Sequence, residues 1–275
     1  MIQVILDASM GLAFKHFLPS LYQQILPSDI LSMDIHETKA TCNACIKVPK
    51  YDEKLKCCTF HPFLPNYMIG QILLDQKKTP TFITEILQNK IVKRQYALPL
   101  GIVAPVSYQV EFNELKSKHF GKREDWLCPY YDKALSQCGV WRNRGSVCTS
   151  FYCDSSKGSK GKNFWKVALN YLSYVEMVLC EEALVHLDFS PRQVSDLLGY
   201  INRNEGSASE LKSDSMSKAK AQSLWNGYFD DQEGFYIKTL EVVKSFDKKQ
   251  MEESMGDLGY NLTAQIVKAG GIWKI

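Results

Sequence analysis

The chain has 275 residues, of which 45% are hydrophobic and 23% charged, and its formal net charge is +3. This length and composition are typical of a globular protein with one large domain or two modest ones. The 33 basic residues exceed the 30 acidic residues by only three. So small an excess argues against a protein that binds nucleic acid through its charge alone.

The first part of the chain predicts short helices around an irregular loop. Apolar residues at helical spacing, interrupted by prolines, predict one or two short helices over 2–33. Residues 34–53 are rich in charge and predict a loop that would need a metal as its anchor. Four segments follow: helices over 67–74 and 82–92 and short strands over 98–103 and 108–112.

The second half of the chain predicts a helical region. The Gly/Ser/Lys-rich segment 154–162 predicts a linker, because it has no apolar residues with which to pack. The longest helical periodicity follows over 164–187, and a capping box that begins at Ser190 predicts another helix. Two further helices are expected over 218–225 and 234–251.

These patterns predict a mainly α protein with at most minor β structure. We expect an irregular, metal-stapled cysteine-cluster domain over 1–155 and a helical C-terminal region over 163–275. No stretch reaches the roughly 18 uninterrupted apolar residues that a membrane helix needs. The first residues also lack the basic region and cleavage site of a signal peptide.

Nine cysteines are unusual in a chain without an export signal. In a reducing compartment, such thiols serve metal binding more often than disulfides. The adjacent pair Cys57-Cys58 fits a disulfide framework poorly, because a bridge between neighbouring residues is strained. We therefore expect a cytoplasmic protein with reduced thiols.

Eight of the nine cysteines form two groups of four. The first group is Cys42-Asn-Ala-Cys45 followed by the pair Cys57-Cys58, and 69 residues separate that pair from the second group. The spacers within the second group are nine, nine and four residues long. Thiolates are soft ligands that zinc and iron–sulfur clusters select, and four of them complete either kind of site.

This order of cysteines resembles the YkgJ-like cysteine-cluster family, whose CxxCxxCC domain is described as zinc- or iron-chelating, over residues 41–154. The first group of that family is compact, whereas eleven residues separate Cys45 from Cys57 here. The resemblance implies an iron–sulfur cluster or zinc as cofactor. It implies eight ligands: Cys42, Cys45, Cys57, Cys58, Cys128, Cys138, Cys148 and Cys153.

Two partitions of these ligands are open. Neighbouring side chains in an extended segment point to opposite sides, so Cys57 and Cys58 could bind one metal ion only through a bent backbone, whereas one thiol on each side comes naturally. This favours a centre, or two centres, that draw on both groups of cysteines. The simple alternative gives each group of four its own site.

For four other residues, a role at the metal is weighed against simple packing or solvation. Cys180 lies on the apolar face of the long helical pattern, and we expect it to pack in the core. His61, three residues after Cys58, is a reserve ligand. Arg142 and Arg144 either offset the negative charge of the thiolates or are solvated surface residues.

Two functions from different classes fit these observations. The first is an iron–sulfur protein with a redox or protein-modifying role, and the resemblance favours it. The second is a non-enzymatic binding or adaptor module in which zinc staples the loops. A protein partner or protein substrate suits either function, whereas no motif of a hydrolase nucleophile or a dinucleotide site occurs.

Overall fold

A computed structural model describes residues 11–37, 51–52, 54–55, 57–76, 81–152 and 155–273. The protein is 60% helical and 6% strand, which confirms a mainly α fold with minor β structure. The predicted ligands Cys42, Cys45 and Cys153 lie outside the described residues. No helix within the described ranges has the length and apolar character needed to cross a membrane.

The described residues form helices and two-residue strands. The α-helices are α1 Tyr22–Ile25, α2 Ser28–Leu31, α3 Asn66–Gln76, α4 Phe82–Val92, α5 Val106–His119, α6 Ser146–Ser150, α7 Gly158–His186, α8 Pro191–Leu198, α9 Ala208–Leu211, α10 Lys218–Leu224, α11 Gln232–Ser245 and α12 Lys248–Gly270. The strands are β1 Leu12–Ala13, β2 Asp34–Ile35, β3 Leu64–Pro65, β4 Ala97–Leu98, β5 Gly101–Ile102, β6 Tyr131–Asp132 and β7 Gln137–Cys138. Short 3-10 helices cover Phe14–Phe17, Glu124–Trp126, Trp141–Asn143, Phe229–Asp231 and Gly271–Trp273.

The clearest helix signals are confirmed. Helix α4 has the bounds that its apolar periodicity predicts. Helix α8 begins as its capping box predicts: the Ser190 N–H donates to the Gln193 side-chain oxygen at 2.8 Å, and the Gln193 N–H donates to the Ser190 hydroxyl at 3.4 Å.

Two local predictions are wrong. Residues 108–112, predicted as a strand, belong to α5, because Tyr108 and Phe112 lie one helical turn apart and stack with their ring centroids 5.5 Å apart. The predicted linker is helical from Gly158 onward. Glu37 anchors the start of that helix, since its carboxylate accepts hydrogen bonds from the Ser155 hydroxyl at 2.5 Å and the Ser156 N–H at 2.9 Å.

The chain divides into two compact units. Unit 1 comprises residues 1–44, 146–178 and 246–275, and unit 2 comprises 45–145 and 179–245. Each unit takes segments from both sides of residue 155, so these units do not coincide with the predicted division into 1–155 and 163–275. The physical reason is that helices pack by their apolar faces and not by their order in the chain.

Unit 1 has an aromatic core. The rings of Phe14 and Phe164 meet edge to face with centroids 5.9 Å apart, and Phe164 meets Trp273 at 5.6 Å. All three side chains are buried, and each such pair adds about 0.5–1.5 kcal/mol beyond the burial of its area. Helices α1 and α2 pack on α12, while β1 pairs with β2 in antiparallel orientation.

Unit 2 is built on the pair α3 and α11. At Gly70 the missing side chain lets α3 approach the backbone carbonyl of Tyr236 on α11. The Tyr236 hydroxyl donates to the Leu98 carbonyl at 2.8 Å, which ties α11 to β4. Strand β5 lies between β3 and β4 in a small antiparallel sheet.

Candidate metal centre

A main-chain hydrogen bond joins the two cysteine groups within unit 2. The Cys128 N–H donates to the Cys58 carbonyl at 2.7 Å, although 69 residues lie between them. The Cys58 N–H donates to the Leu55 carbonyl at 3.1 Å, which places Cys58 in a turn. Cys57, Cys58 and Cys128 are all half-buried. The backbone thus brings the adjacent pair of the first group next to the first member of the second group.

A short hairpin places Cys138 beside the same segment. Strands β6 and β7 pair with Tyr131 opposite Cys138. The Tyr131 N–H donates to the Cys128 carbonyl at 3.0 Å, and the Gly139 N–H donates to the Tyr130 carbonyl at 2.9 Å. The first nine-residue spacer of the second group, 129–137, therefore contains β6 and the turn of a hairpin that returns Cys138 toward Cys128.

Cysteine thiolates are the kind of ligand that zinc and iron–sulfur clusters use. Four thiolates, from Cys57, Cys58, Cys128 and Cys138, are enough for a zinc ion or one iron–sulfur cluster. Among the residues that the structure describes, however, no group of three or more His, Cys, Asp and Glu side chains is arranged to hold a metal ion. Ligation by the eight cysteines therefore stays a prediction.

A buried histidine lies three residues after Cys58. The His61 N–H donates to the Tyr108 hydroxyl at 2.9 Å, and that hydroxyl donates to the Thr59 carbonyl at 3.1 Å. Burial, and then the charge of Lys90, holds the pKa of His61 well below its usual value, which favours the neutral imidazole. Within the described part of the chain, His61 Nε2 is buried without a hydrogen-bond partner.

Lys90, on the last turn of α4, is buried in the same region. The residue as a whole is 6% exposed. Burial lowers the pKa of Lys90 to about 8, while the charges of Cys128 and Asp214 act in the opposite direction. The pattern of cysteines does not point to this residue. Its spacing from Ile83 and Leu87, the buried face of α4, was the available signal.

The two arginines of the second group have different surroundings. The guanidinium of Arg144 lies 3.5 Å from the centroid of the Trp141 ring, and its Nε donates to the Trp141 carbonyl at 3.2 Å. Arg142 is exposed. Arg144 is thus a residue that packs on an aromatic ring, and Arg142 is the solvated one of the two.

In unit 1, Cys148 lies on α6 and is half-buried. The first residue of that helix is held by a buried carboxylate, since the Ser146 N–H donates to Glu176 at 2.7 Å. Burial raises the pKa of Glu176 to about 7, although its hydrogen bonds with Ser146 oppose that shift. Glu176 therefore fixes the short helix that carries Cys148.

Cys180 lies in the core, as predicted. Its side chain in unit 2 is fully buried. Its backbone carbonyl accepts a hydrogen bond from the Asn66 side-chain amide at 3.4 Å, and the same amide donates to the Pro99 carbonyl at 3.1 Å. Cys180 thus helps to order the start of α3 through its backbone carbonyl.

Comparison with known proteins identifies no relative of this chain. A scan against protein-family models, a search of curated proteins and a search of solved structures each returned no match. The resemblance to the YkgJ-like cysteine-cluster family accordingly rests on the cysteine order alone and stays a prediction.

Proposed function

We propose that this chain is a metal-binding protein that holds an iron–sulfur cluster or zinc through its cysteines, with a redox or protein-modifying role. The observation that carries the proposal is the hydrogen bond from the Cys128 N–H to the Cys58 carbonyl. It brings cysteines of both groups together across a long stretch of chain. A core that only needed small apolar side chains would have no reason to place partly exposed cysteines of both groups on neighbouring backbone segments.

The residues of unit 2 would hold the metal in defined roles. Cys57, Cys58, Cys128 and Cys138 would supply thiolates, and the hairpin of β6 and β7 would orient Cys138. A bound cluster would supply one-electron transfer or a site for a substrate, and zinc would supply structural cross-links. The knuckle Cys42-Asn-Ala-Cys45 and the two remaining cysteines are further ligands in the proposal.

The second candidate is a zinc-stapled binding or adaptor module. The observation in its favour is the small size of the local elements near the thiols, since β6 and β7 have two residues each. Such short strands need an additional cross-link, which a structural zinc ion provides. In this case the helices would contact a protein partner, and the protein would have no redox activity.

Metal content tests the proposal directly. Protein purified without oxygen should contain zinc or iron, and visible absorption should distinguish an iron–sulfur cluster from colourless zinc. Cys58→Ser and Cys128→Ser should each lose metal, because each removes a thiolate ligand. The matched control is Cys180→Ala, which removes a buried thiol outside the candidate centre and should keep the metal content of the wild type.

The double variant Cys58→Ser/Cys128→Ser distinguishes one shared centre from two separate ones. If both cysteines serve the same centre, the double variant loses no more metal than either single variant, because the effects of residues that act as a unit are not additive. Twice the loss in the double variant would show separate centres. Wild-type protein without stoichiometric metal, or loss of metal from Cys180→Ala, would overturn the proposal.

A further inference from the structure

Unit 2 contains a tight turn between α10 and the 3-10 helix Phe229–Asp231. The Tyr228 N–H donates to the Trp225 carbonyl at 2.8 Å and closes the turn. Its two central residues, Asn226 and Gly227, have positive φ angles of 42° and 86°. Positive φ at both central residues identifies a type I′ β-turn, and Asn-Gly is the sequence that this turn prefers.

The side chain of Asn226 is tied to a second loop of unit 2. Its amide nitrogen donates to the carbonyl of Asp188, between α7 and α8, at 3.0 Å. Gly227 is exposed, and a Cβ at this position would meet no atom within 4 Å. The backbone that follows Asn226 is therefore open to water, while the Asn226 side chain is held by Asp188.

An asparagine that precedes a glycine reacts slowly with its own backbone. The glycine nitrogen attacks the side-chain carbon Cγ, a new C–N bond closes a cyclic imide, and the side-chain nitrogen leaves as ammonia with the proton of the attacking N–H. Water then opens the imide at either of its C–N bonds, which leaves aspartate or its backbone-shifted isomer isoaspartate. Water is the co-reactant, and no group is oxidised or reduced. Glycine favours the reaction because it has no side chain to obstruct the attacking nitrogen.

A single local rearrangement gives this turn the geometry for the attack. In a type I′ turn the first central residue has a ψ of about +30°, which points the glycine nitrogen away from the asparagine side chain. A type II′ turn has the same positive φ there but a ψ of about −120°, which brings that nitrogen beside Cγ. The two turns differ by the flip of one peptide plane, and Gly227 permits it because glycine adopts either sign of φ. Both turn types accommodate the hydrogen bond between Tyr228 and Trp225, so the flip needs no unfolding.

We propose that Asn226-Gly227 is a site of spontaneous deamidation and isomerisation that reacts in the folded protein. The barrier that the fold adds is the hydrogen bond to Asp188, which breaks when the Asn226 side chain rotates toward Gly227. The product carries a carboxylate, which only accepts hydrogen bonds and cannot donate to that carbonyl. The tie between the two loops is then lost, and the modification loosens unit 2 between α10 and α11. This inference is independent of the proposed metal function.

Peptide mapping by mass spectrometry tests the inference on the full-length protein, incubated in mildly alkaline buffer. Asn226 should accumulate aspartate and isoaspartate. The matched control within the chain is Asn202, which is exposed and also has a positive φ of 56° but is followed by Arg203, and it should stay unmodified over the same period. The rate at Asn226 should be about fivefold lower than in urea-unfolded protein, since one hydrogen bond of typical strength corresponds to that factor. A site that reacted only after global unfolding would be slowed by roughly a thousandfold or more.

Substitution tests the consequence for the fold. Asn226→Asp, which copies one product, should unfold at a lower temperature than the wild type, because the donor to Asp188 is lost. The control Asn202→Asp keeps the oxygen that accepts a hydrogen bond from the Asn113 amide, so it should unfold as the wild type does. No modification of Asn226 in the folded protein, a rate as low as global unfolding sets, or equal modification of Asn202 would each overturn the inference. An unchanged unfolding temperature in Asn226→Asp would overturn the loosening of unit 2.

Discussion

Gly70→Ala is expected to destabilise the protein by about 3 kcal/mol or more, at the upper end of the cost of overpacking a core. An added Cβ would lie 2.8 Å from the carbonyl carbon of Tyr236 and closer still to its oxygen. That carbonyl is part of α11 and accepts a hydrogen bond from the Thr239 hydroxyl at 2.7 Å, so it cannot move without breaking helix contacts. Denaturant unfolding followed by circular dichroism measures the change.

The matched control for this prediction is Gly271→Ala. A Cβ at Gly271 would meet no atom within 4 Å, and the residue has a helical φ of −56°. Alanine should therefore be tolerated or slightly stabilising there. If Gly70→Ala unfolded at the same denaturant concentration as the wild type, the close crossing of α3 and α11 would be wrong.

Glu176→Gln is expected to remove a pH dependence from the stability of the protein. Burial raises the pKa of Glu176 from 4.5 to about 7 in the folded state. The folded protein therefore holds this proton more tightly than the unfolded chain does. The associated stability is fully present below the unfolded pKa and is lost as the pH rises through the folded pKa.

The size of this effect follows from the shift. Between about pH 5 and pH 8, the free energy of unfolding of the wild type should fall by about 3 kcal/mol relative to Glu176→Gln. Glutamine keeps an oxygen that can accept the Ser146 N–H, so the start of α6 is preserved. Denaturant unfolding of both proteins across this pH range measures the difference. Glu241→Gln, at an exposed position, is the control, and a constant difference between wild type and Glu176→Gln would contradict the prediction.

Local signals in the sequence predicted individual helices well. The apolar periodicity of α4 and the capping box of α8 specify their own backbone, because each depends only on residues within a few positions. The start of α7 could not be predicted in this way, because it depends on a residue far away in the chain. Its anchor is Glu37, more than a hundred residues away, and nothing near Gly158 reveals that partner.

The cysteines of the candidate site could be proposed from the sequence, whereas the buried residues around them could not. The order of the cysteines pointed to thiolate ligands, and the adjacent pair Cys57-Cys58 favoured a centre that uses both groups. The hydrogen bond from Cys128 to Cys58 joins the backbones of the two groups, while the partition of the ligands stays a prediction. Lys90 and its burial depend on how α4 packs, and such long-range packing has no local signature beyond one lysine on an apolar face.

Unit 1 takes its last segment from residues 246–275, and this has a consequence for how the protein is made. The ribosome releases α1 and α2 long before α12, the helix on which they pack. The helices α1 and α2, which carry the buried residues Ile25 and Ile30, therefore lack their packing partner α12 until synthesis reaches that segment. Unit 2 already has all its segments when Ser245 has emerged. We therefore expect nascent chains to depend on chaperones mainly for unit 1, and a ribosome stalled before Phe246 to expose that unit to proteases.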